Sequence, residues 1–141
     1  ELTNRKWLID GFDISAGMLK EAKKKGVYRD LIRLDLKNEK EYPSTLYSVV
    51  VSCGTFTLGH LGPDVLKKML KLCADNALCV IGVNLEHFET LGFKSTFIEL
   101  QSQNEIENFE IISVPIYDEI NIKNTKKNLA NLCIFNFRSV L

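Results

Sequence analysis

The stretch Gly11-Phe12-Asp13-Ile14-Ser15-Ala16-Gly17-Met18-Leu19 changes character twice within nine residues. Trp7-Leu8-Ile9 leads into it as a short apolar strand that closes on an acid, Asp13. Ser15 then offers the short hydroxyl side chain that caps a helix by accepting a backbone N–H. Met18, Leu19 and Ala22 put apolar side chains on one face of that helix, lysines fill the other, and Gly26 is placed to stop it. Leu31 to Leu34 is a second short strand, and it too runs into an acid, Asp35. Strand, helix, strand, with a carboxylate after each strand, is the pattern of a parallel βαβ unit.

The same alternation continues outward. Lys37 to Thr45 is polar, contains Pro43 and reads as a loop. Tyr47-Ser48-Val49-Val50-Val51-Ser52-Cys53 is β-branched and apolar on both faces, which predicts a central parallel strand covered on both sides. Gly54 to Gly62 reads as a glycine-rich loop, and Pro63 suits a first helical turn. Val65, Leu66, Met69, Leu70 and Cys73 form an apolar stripe, and Ala77 to Val83 is a further buried strand. Glu86 to Gly92 and Lys94 to Gln103 predict a helical stretch broken at Gly92-Phe93, with both Phe88 and Phe93 in the core. Phe109 to Ile116 and Ala130 to Arg138 predict two late strands, paired antiparallel and joined by a polar Asn/Lys segment.

Composition narrows the function classes. The 141 residues are 45% hydrophobic and 26% charged, a globular balance in a length that suits one domain. No run of about 18 apolar residues is present, so no spanning helix is expected. Lysine plus arginine and aspartate plus glutamate both total 18, which argues against a general nucleic-acid surface. Acids crowd residues 86–120 and bases residues 121–141. Two solvated faces explain this more simply than an acidic cap selecting a substrate. Lys23-Lys24-Lys25 reads as the solvated side of a helix. Cys53, Cys73, Cys79 and Cys133 show no C-x-x-C spacing, and only His60 and His87 accompany them, so no metal site is expected. They read as reduced core thiols of an intracellular, cytoplasmic protein.

In α/β sheets ligands bind beyond the carboxyl ends of the strands. That rule selects Asp13, Asp35, the segment from Cys53 to His60, and Asn84 to His87. One carboxylate can accept from both hydroxyls of a ribose, so Asp13 is a candidate for that role. The alternative is an acid that stabilises the following helix N-terminus. Asp35 can accept from an exocyclic amine such as adenine N6, with the Leu36 N–H facing a ring nitrogen, or it is an ordinary loop acid. Together the two acids suggest an adenosine site walled by Ile14 and Met18. His60 is the candidate catalytic residue, as a proton acceptor, or else a loop residue that only shapes a pocket. His87 either reaches the substrate side or is a surface residue at a helix start, and Tyr117 is a candidate for the pocket mouth.

These residues carry a family resemblance. Gly11 to Leu19 with Ala22 resembles the second-strand motif of class I S-adenosylmethionine-dependent methyltransferases. Asp35-Leu36 resembles their third-strand motif, and Tyr47 to Gly54 their fourth strand. Gly54-Thr55-Phe56-Thr57-Leu58-Gly59-His60-Leu61-Gly62-Pro63 is similar to the methyltransferase-like protein 27 (Williams–Beuren region) group, as is Leu129 to Arg138 at the final strand. The resemblance implies a Rossmann-like α/β sheet, mostly parallel with an antiparallel last strand, and S-adenosyl-L-methionine as cofactor. It implies Asp13 on the cofactor ribose and Asp35 near the adenine amine. Ile14, Met18 and Leu36 would flank the adenosine, and Cys53 and Gly54 the methionine half. Thr55, His60 and His87 would line the acceptor. The family's glycine-rich E/D-x-G-x-G-x-G loop after its first strand has no counterpart, so residues 1–141 are expected to hold the second to seventh strands of a domain whose first βα unit is absent. Tyr47-Ser48 and Asp75-Asn76-Ala77 also depart from the usual Phe-Asp and Pro-Gly-Gly.

Direct methyl displacement onto a small molecule or unidentified acceptor is the function expected. A non-catalytic, truncated relative is the alternative. An NAD-dependent oxidoreductase ranks below both, because no Tyr-x-x-x-Lys pair is present.

Overall fold

A computed structural model describes residues 7–57, 59–116 and 128–139. The described residues form a mixed α/β fold whose contacts divide into two compact units, Glu1–Tyr42 and Pro43–Leu141.

The first unit is the predicted βαβ. Strand β1 (Asp10–Asp13) and strand β2 (Asp30–Arg33) pair in parallel, with Asp10 opposite Asp30 and Asp13 opposite Arg33. Helix α1 (Ala16–Lys23) connects them, and Ser15 caps it, its hydroxyl accepting the Met18 N–H at 3.3 Å. Gly26 lies just beyond, at φ +63°, a conformation that its missing Cβ permits. Arg29 ties the entry of the two strands together: its Nε donates to Asp10 Oδ1 at 2.9 Å, and its backbone N–H to the Ile9 carbonyl at 2.7 Å. The Asp10 side chain is buried, so this charge-assisted fork satisfies a carboxylate that water does not reach.

The second unit is a four-stranded sheet in the order β3-β4-β6-β5, formed by β3 (Tyr47–Phe56), β4 (Cys73–Asn84), β5 (Ile106–Pro115) and β6 (Leu129–Phe137). β3 and β4 are parallel, and β6 runs antiparallel to both β4 and β5. The antiparallel late pair is as expected, but β6 inserts between β4 and β5. Helix α2 (Pro63–Met69) begins with Pro63 in its first turn and buries Val65, Leu66 and Met69; the predicted stripe continues beyond it, with Leu70 buried in a 3-10 turn (Leu70–Leu72) and Cys73 buried as the first residue of β4. Helices α3 (Leu85–Thr90) and α4 (Phe93–Ser102) are separated at Gly92, φ +79°, where the sequence placed the break. Asn76, where β4 shifts register against β3 between Cys73 and Leu78, also takes a positive φ, +61°, a role asparagine tolerates better than most residues.

Aromatic rings join α4 to the sheet. Phe97 meets Phe109 at 4.6 Å and Phe135 at 5.7 Å, while Phe93 meets Phe56 edge-on at 5.7 Å. Phe88 and Phe93 are both buried, as expected. On the outer side of α4, Lys67 of α2 pairs with Glu99 at 2.7 Å and holds that exposed carboxyl below the usual range.

Three expectations are corrected. The strand beginning at Tyr47 is not covered on both faces: Val49 is 43% and Val51 68% exposed. β3 is an end strand of its four-stranded sheet, and the register puts Val50 and Ser52, not Val49 and Val51, beside the buried Cys79 and Ile81. The strand does not stop at Cys53 either, since Phe56 pairs with Val83 and only the residues between Ser52 and Phe56 leave register. Cys53, finally, is exposed and not a core thiol. Cys73, Cys79 and Cys133 are buried. Tyr117, Leu58 and the polar 121–127 segment lie outside the described residues.

Burial pushes the Cys133 thiol up to about 12. The S–H···S contact with Cys73 at 3.6 Å, reinforced by burial, also raises Cys79. Because the thiolate is the nucleophile, native-state alkylation is expected at Cys53 first, with Cys79 and Cys133 reacting only on unfolding. Peptide mass mapping after timed labelling reads this order. Phe97→Ala is expected to lower unfolding free energy by about 3–5 kcal/mol, the range for emptying a buried aromatic position, measured by denaturant titration.

Candidate functional site

In the first unit, Asp13 and Asp35 stand at the carboxyl ends of neighbouring parallel strands. The Leu34 N–H donates to the Asp13 carbonyl at 3.1 Å, which carries the pairing one step past β2. Each acid is oriented by its own loop. Asp13 Oδ1 accepts the Ser15 N–H at 2.8 Å, and Asp35 Oδ1 accepts the Lys37 N–H at 2.9 Å. Both are turns in which a short acid folds back on the backbone two residues on. Among the described residues no donor meets the second oxygen, Oδ2, of either carboxylate, and both residues remain only half-buried.

Ile14 and Met18 are 58% and 59% exposed beside Asp13. The Ile14 carbonyl accepts from Arg33 Nε at 3.0 Å, which fixes the backbone immediately after the first acid. Leu36 is half-buried, and its carbonyl accepts the Tyr42 hydroxyl at 2.7 Å. A cavity of about 230 Å³ opens beside Asp13, lined among others by Gly11, Phe12, Met18 and Tyr28.

In the second unit, Cys53, Gly54 and Thr55 lie in the stretch of β3 that leaves register with β4. Gly54 has φ +78°, and a Cβ added there would meet nothing within 4 Å. Its glycine identity thus serves the backbone bend, while the space over it stays open. Opposite, Gly82 of β4 would place a Cβ 3.3 Å from the Ser52 carbonyl, so its bareness lets the two strands approach. Beyond Phe56 the chain turns: the His60 N–H donates to the Thr57 carbonyl at 3.0 Å, and Gly59 takes φ +79°. His60 is exposed and Thr55 half-buried.

His87 differs from its neighbours. It is 2% exposed, so it is not the surface residue the sequence allowed. Its backbone N–H donates to Asn84 Oδ1 at 3.2 Å, its ring lies 5.5 Å from Phe93, and its Nε2 sits 2.9 Å from the Leu61 carbonyl. Within the second unit the candidates therefore group as a bend at Cys53–Thr55, an exposed His60, and a buried His87 bonded to the residue after His60. Among the described residues no three His, Cys, Asp or Glu side chains gather as a metal site, and no helix is long and apolar enough to cross a membrane.

Sequence reasoning missed Tyr42, Arg33 and Leu61, which act on the candidates through carbonyls and hydroxyls. Carbonyl partners leave no trace in residue identity. Tyr42 did leave a signal: it is the lone aromatic residue in a polar loop and precedes Pro43, which holds it extended.

No family model matches the sequence, and no curated protein matches it. Solved structures match its fold. The N-methyltransferase NodS from Bradyrhizobium japonicum WM9 in complex with S-adenosyl-L-homocysteine aligns over 94% of this chain at TM-score 0.60 and 12% identity. The plantazolicin methyltransferase BamL, in complex with a triazolic desmethylPZN analog and the same homocysteine product, aligns over 98% at TM-score 0.64 and 14% identity. The CurJ carbon methyltransferase aligns over 94% at TM-score 0.59 and 12% identity. The chain spans 67%, 71% and 42% of those three chains respectively. At such identities the likeness establishes the fold, the Rossmann-like fold of these methyltransferases.

Burial, and then the charges of Glu39 and Asp35, push the Tyr42 phenol up to about 12. A folded-state value above the ordinary 10.0 means that the neutral phenol is favoured in the fold. Its contribution is complete below pH about 10 and is lost as pH rises through about 12. In a difference titration of phenolate absorbance against Tyr42→Phe, the component absent from the variant is expected near 12, and a midpoint near 10 would show that the phenol is not buried beside Glu39 and Asp35. At neutral pH Tyr42→Phe is expected to cost roughly 0.5–1.5 kcal/mol of stability, read by denaturant titration.

Proposed function

We propose that this chain carries the cofactor and acceptor residues of an S-adenosylmethionine-dependent methyltransferase. The observation that carries the reading is the pair of carboxylates at adjacent parallel strand ends, each oriented through one oxygen and, among the described residues, without a donor at the other. Asp13 would accept the ribose hydroxyls and Asp35 the adenine amine, with Leu36 offering its N–H to the ring. The exposed Ile14 and Met18 would cover the faces of the base. Cys53 and Gly54 would border the methionine half, where the open space over Gly54 suits close approach of a ligand to backbone.

The cofactor supplies a methyl group already activated on a sulfonium. The protein's part is then mostly orientation, because holding two reactants in line removes much of the entropic barrier. Thr55 and His60 would border the acceptor, and an exposed His60 is available to take a proton from an amine or hydroxyl. A small-molecule or peptide acceptor is favoured by zero net charge and by the plantazolicin acceptor of one fold neighbour. The motif Gly54 to Pro63 supports a finer placement in the methyltransferase-like protein 27 group, and three buried unpaired thiols support a reducing, cytoplasmic setting.

Calorimetric titration with S-adenosylmethionine, S-adenosylhomocysteine and NAD tests the reading. Binding of the first two and not the third is expected. Asp13→Ala should weaken affinity by about 10- to 100-fold, equivalent to the roughly 1.5–3 kcal/mol of a hydrogen bond to a charged group. Bound S-adenosylhomocysteine should also slow alkylation of Cys53. NAD binding alone, or affinity unchanged in Asp13→Ala, would overturn the assignment.

A further inference from the structure

We infer that His87 is a positioning residue: its Nε2–H holds the Leu61 carbonyl and thereby fixes the turn that carries His60. The two residues are 26 apart in sequence and meet at 2.9 Å between Nε2 and oxygen. A carbonyl oxygen only accepts, so Nε2 must carry the proton. The carbonyl partner thus assigns the donating proton to Nε2.

The ring is built into place for this task. Asn84, the last residue of β4, caps α3 by accepting the His87 N–H, which sets the start of the helix. Phe93 packs beside the imidazole, and the side chain is 2% exposed. The contacted carbonyl belongs to the residue between His60 and Gly62, and the Gly62 carbonyl in turn accepts the Val65 and Leu66 N–H groups at the start of α2. One hydrogen bond thus joins the segment following β3 to the segment following β4. The same glycine-containing turn, which bears an exposed histidine, is also held by the His60 N–H to Thr57 bond and by α2. Its consequence for an acceptor rests on the methyltransferase reading; the ordering of the turn does not.

The test separates the donor from the ring. His87→Phe keeps an aromatic ring against Phe93 and deletes the donor, whereas His87→Gln keeps an N–H donor at a similar reach. Amide hydrogen exchange, followed by nuclear magnetic resonance on the full chain, is expected to show the His60 amide exchanging about tenfold faster in His87→Phe, the change that loss of one such bond produces. His87→Gln should restore most of the protection. In the wild-type chain, nitrogen-15 spectra of the imidazole should show a protonated Nε2. Equal His60 exchange in His87→Phe and wild type, equal loss in both variants, or an unprotonated Nε2 would each overturn the proposal. Titration with S-adenosylhomocysteine keeps this distinct from the functional reading. Affinity in His87→Phe should stay within a few-fold of wild type, and a loss as large as that of Asp13→Ala would overturn the assignment to the acceptor side. Absence of binding to the wild-type chain would remove the methyltransferase reading and leave the exchange result standing.

Discussion

A strand buried in a sheet must have its backbone N–H and C=O groups paired, and β4 is where the larger unit meets that demand. It is paired by β3 on one side and β6 on the other, and Ile81, Gly82, Val83 and Asn84 at its carboxyl end are all buried. Two features of the sheet follow from it. Gly82 has no side chain because the Ser52 carbonyl lies where one would press. β6 supplies the pairing on the other side of β4 and runs antiparallel to both β4 and β5. The aromatic cluster of Phe56, Phe93, Phe97, Phe109 and Phe135 then packs α4 against one face, and the carboxyl end of β4 passes directly into α3 and His87.

The candidate site residues are held by short-range backbone bonds more than by other side chains. Asp13 and Asp35 each spend one oxygen on the amide two residues ahead, so their orientation is set before any ligand arrives. Preset orientation lowers the ordering cost of binding. Tyr42 and Arg33 do the same at one remove, by fixing the carbonyls of Leu36 and Ile14. In the second unit the equivalent constraint is the His87 bond to Leu61, which works across 26 residues of chain.

Much of this was legible in advance where the cause is local. Ser15 at the helix start, the break at Gly92, Pro63 in a first turn and the stripe from Val65 to Cys73 all depend on residues within a turn or two of each other. The acids after the first two strands were legible for the same reason. Cys53 and Val51 were misread because their exposure depends on which strands and helices flank β3 and on the bend at Gly54, and an apolar run looks the same in a covered strand and an end strand. The burial of His87 was not legible because its partner is a carbonyl, which every residue possesses.

The sequence by itself determined the element types and their order, the placement of Asp13 and Asp35 after parallel strands, and the antiparallel character of the last pair. Periodicity, capping and turn chemistry are properties of adjacent residues, so the chain states them directly. Tertiary structure alone decided that β6 lies between β4 and β5, that Val49 and Val51 face outward while Val50 and Ser52 face the core, and that His87 is buried against Leu61. Each of those depends on which distant backbone groups pair, and pairing partners are chosen by the folded whole.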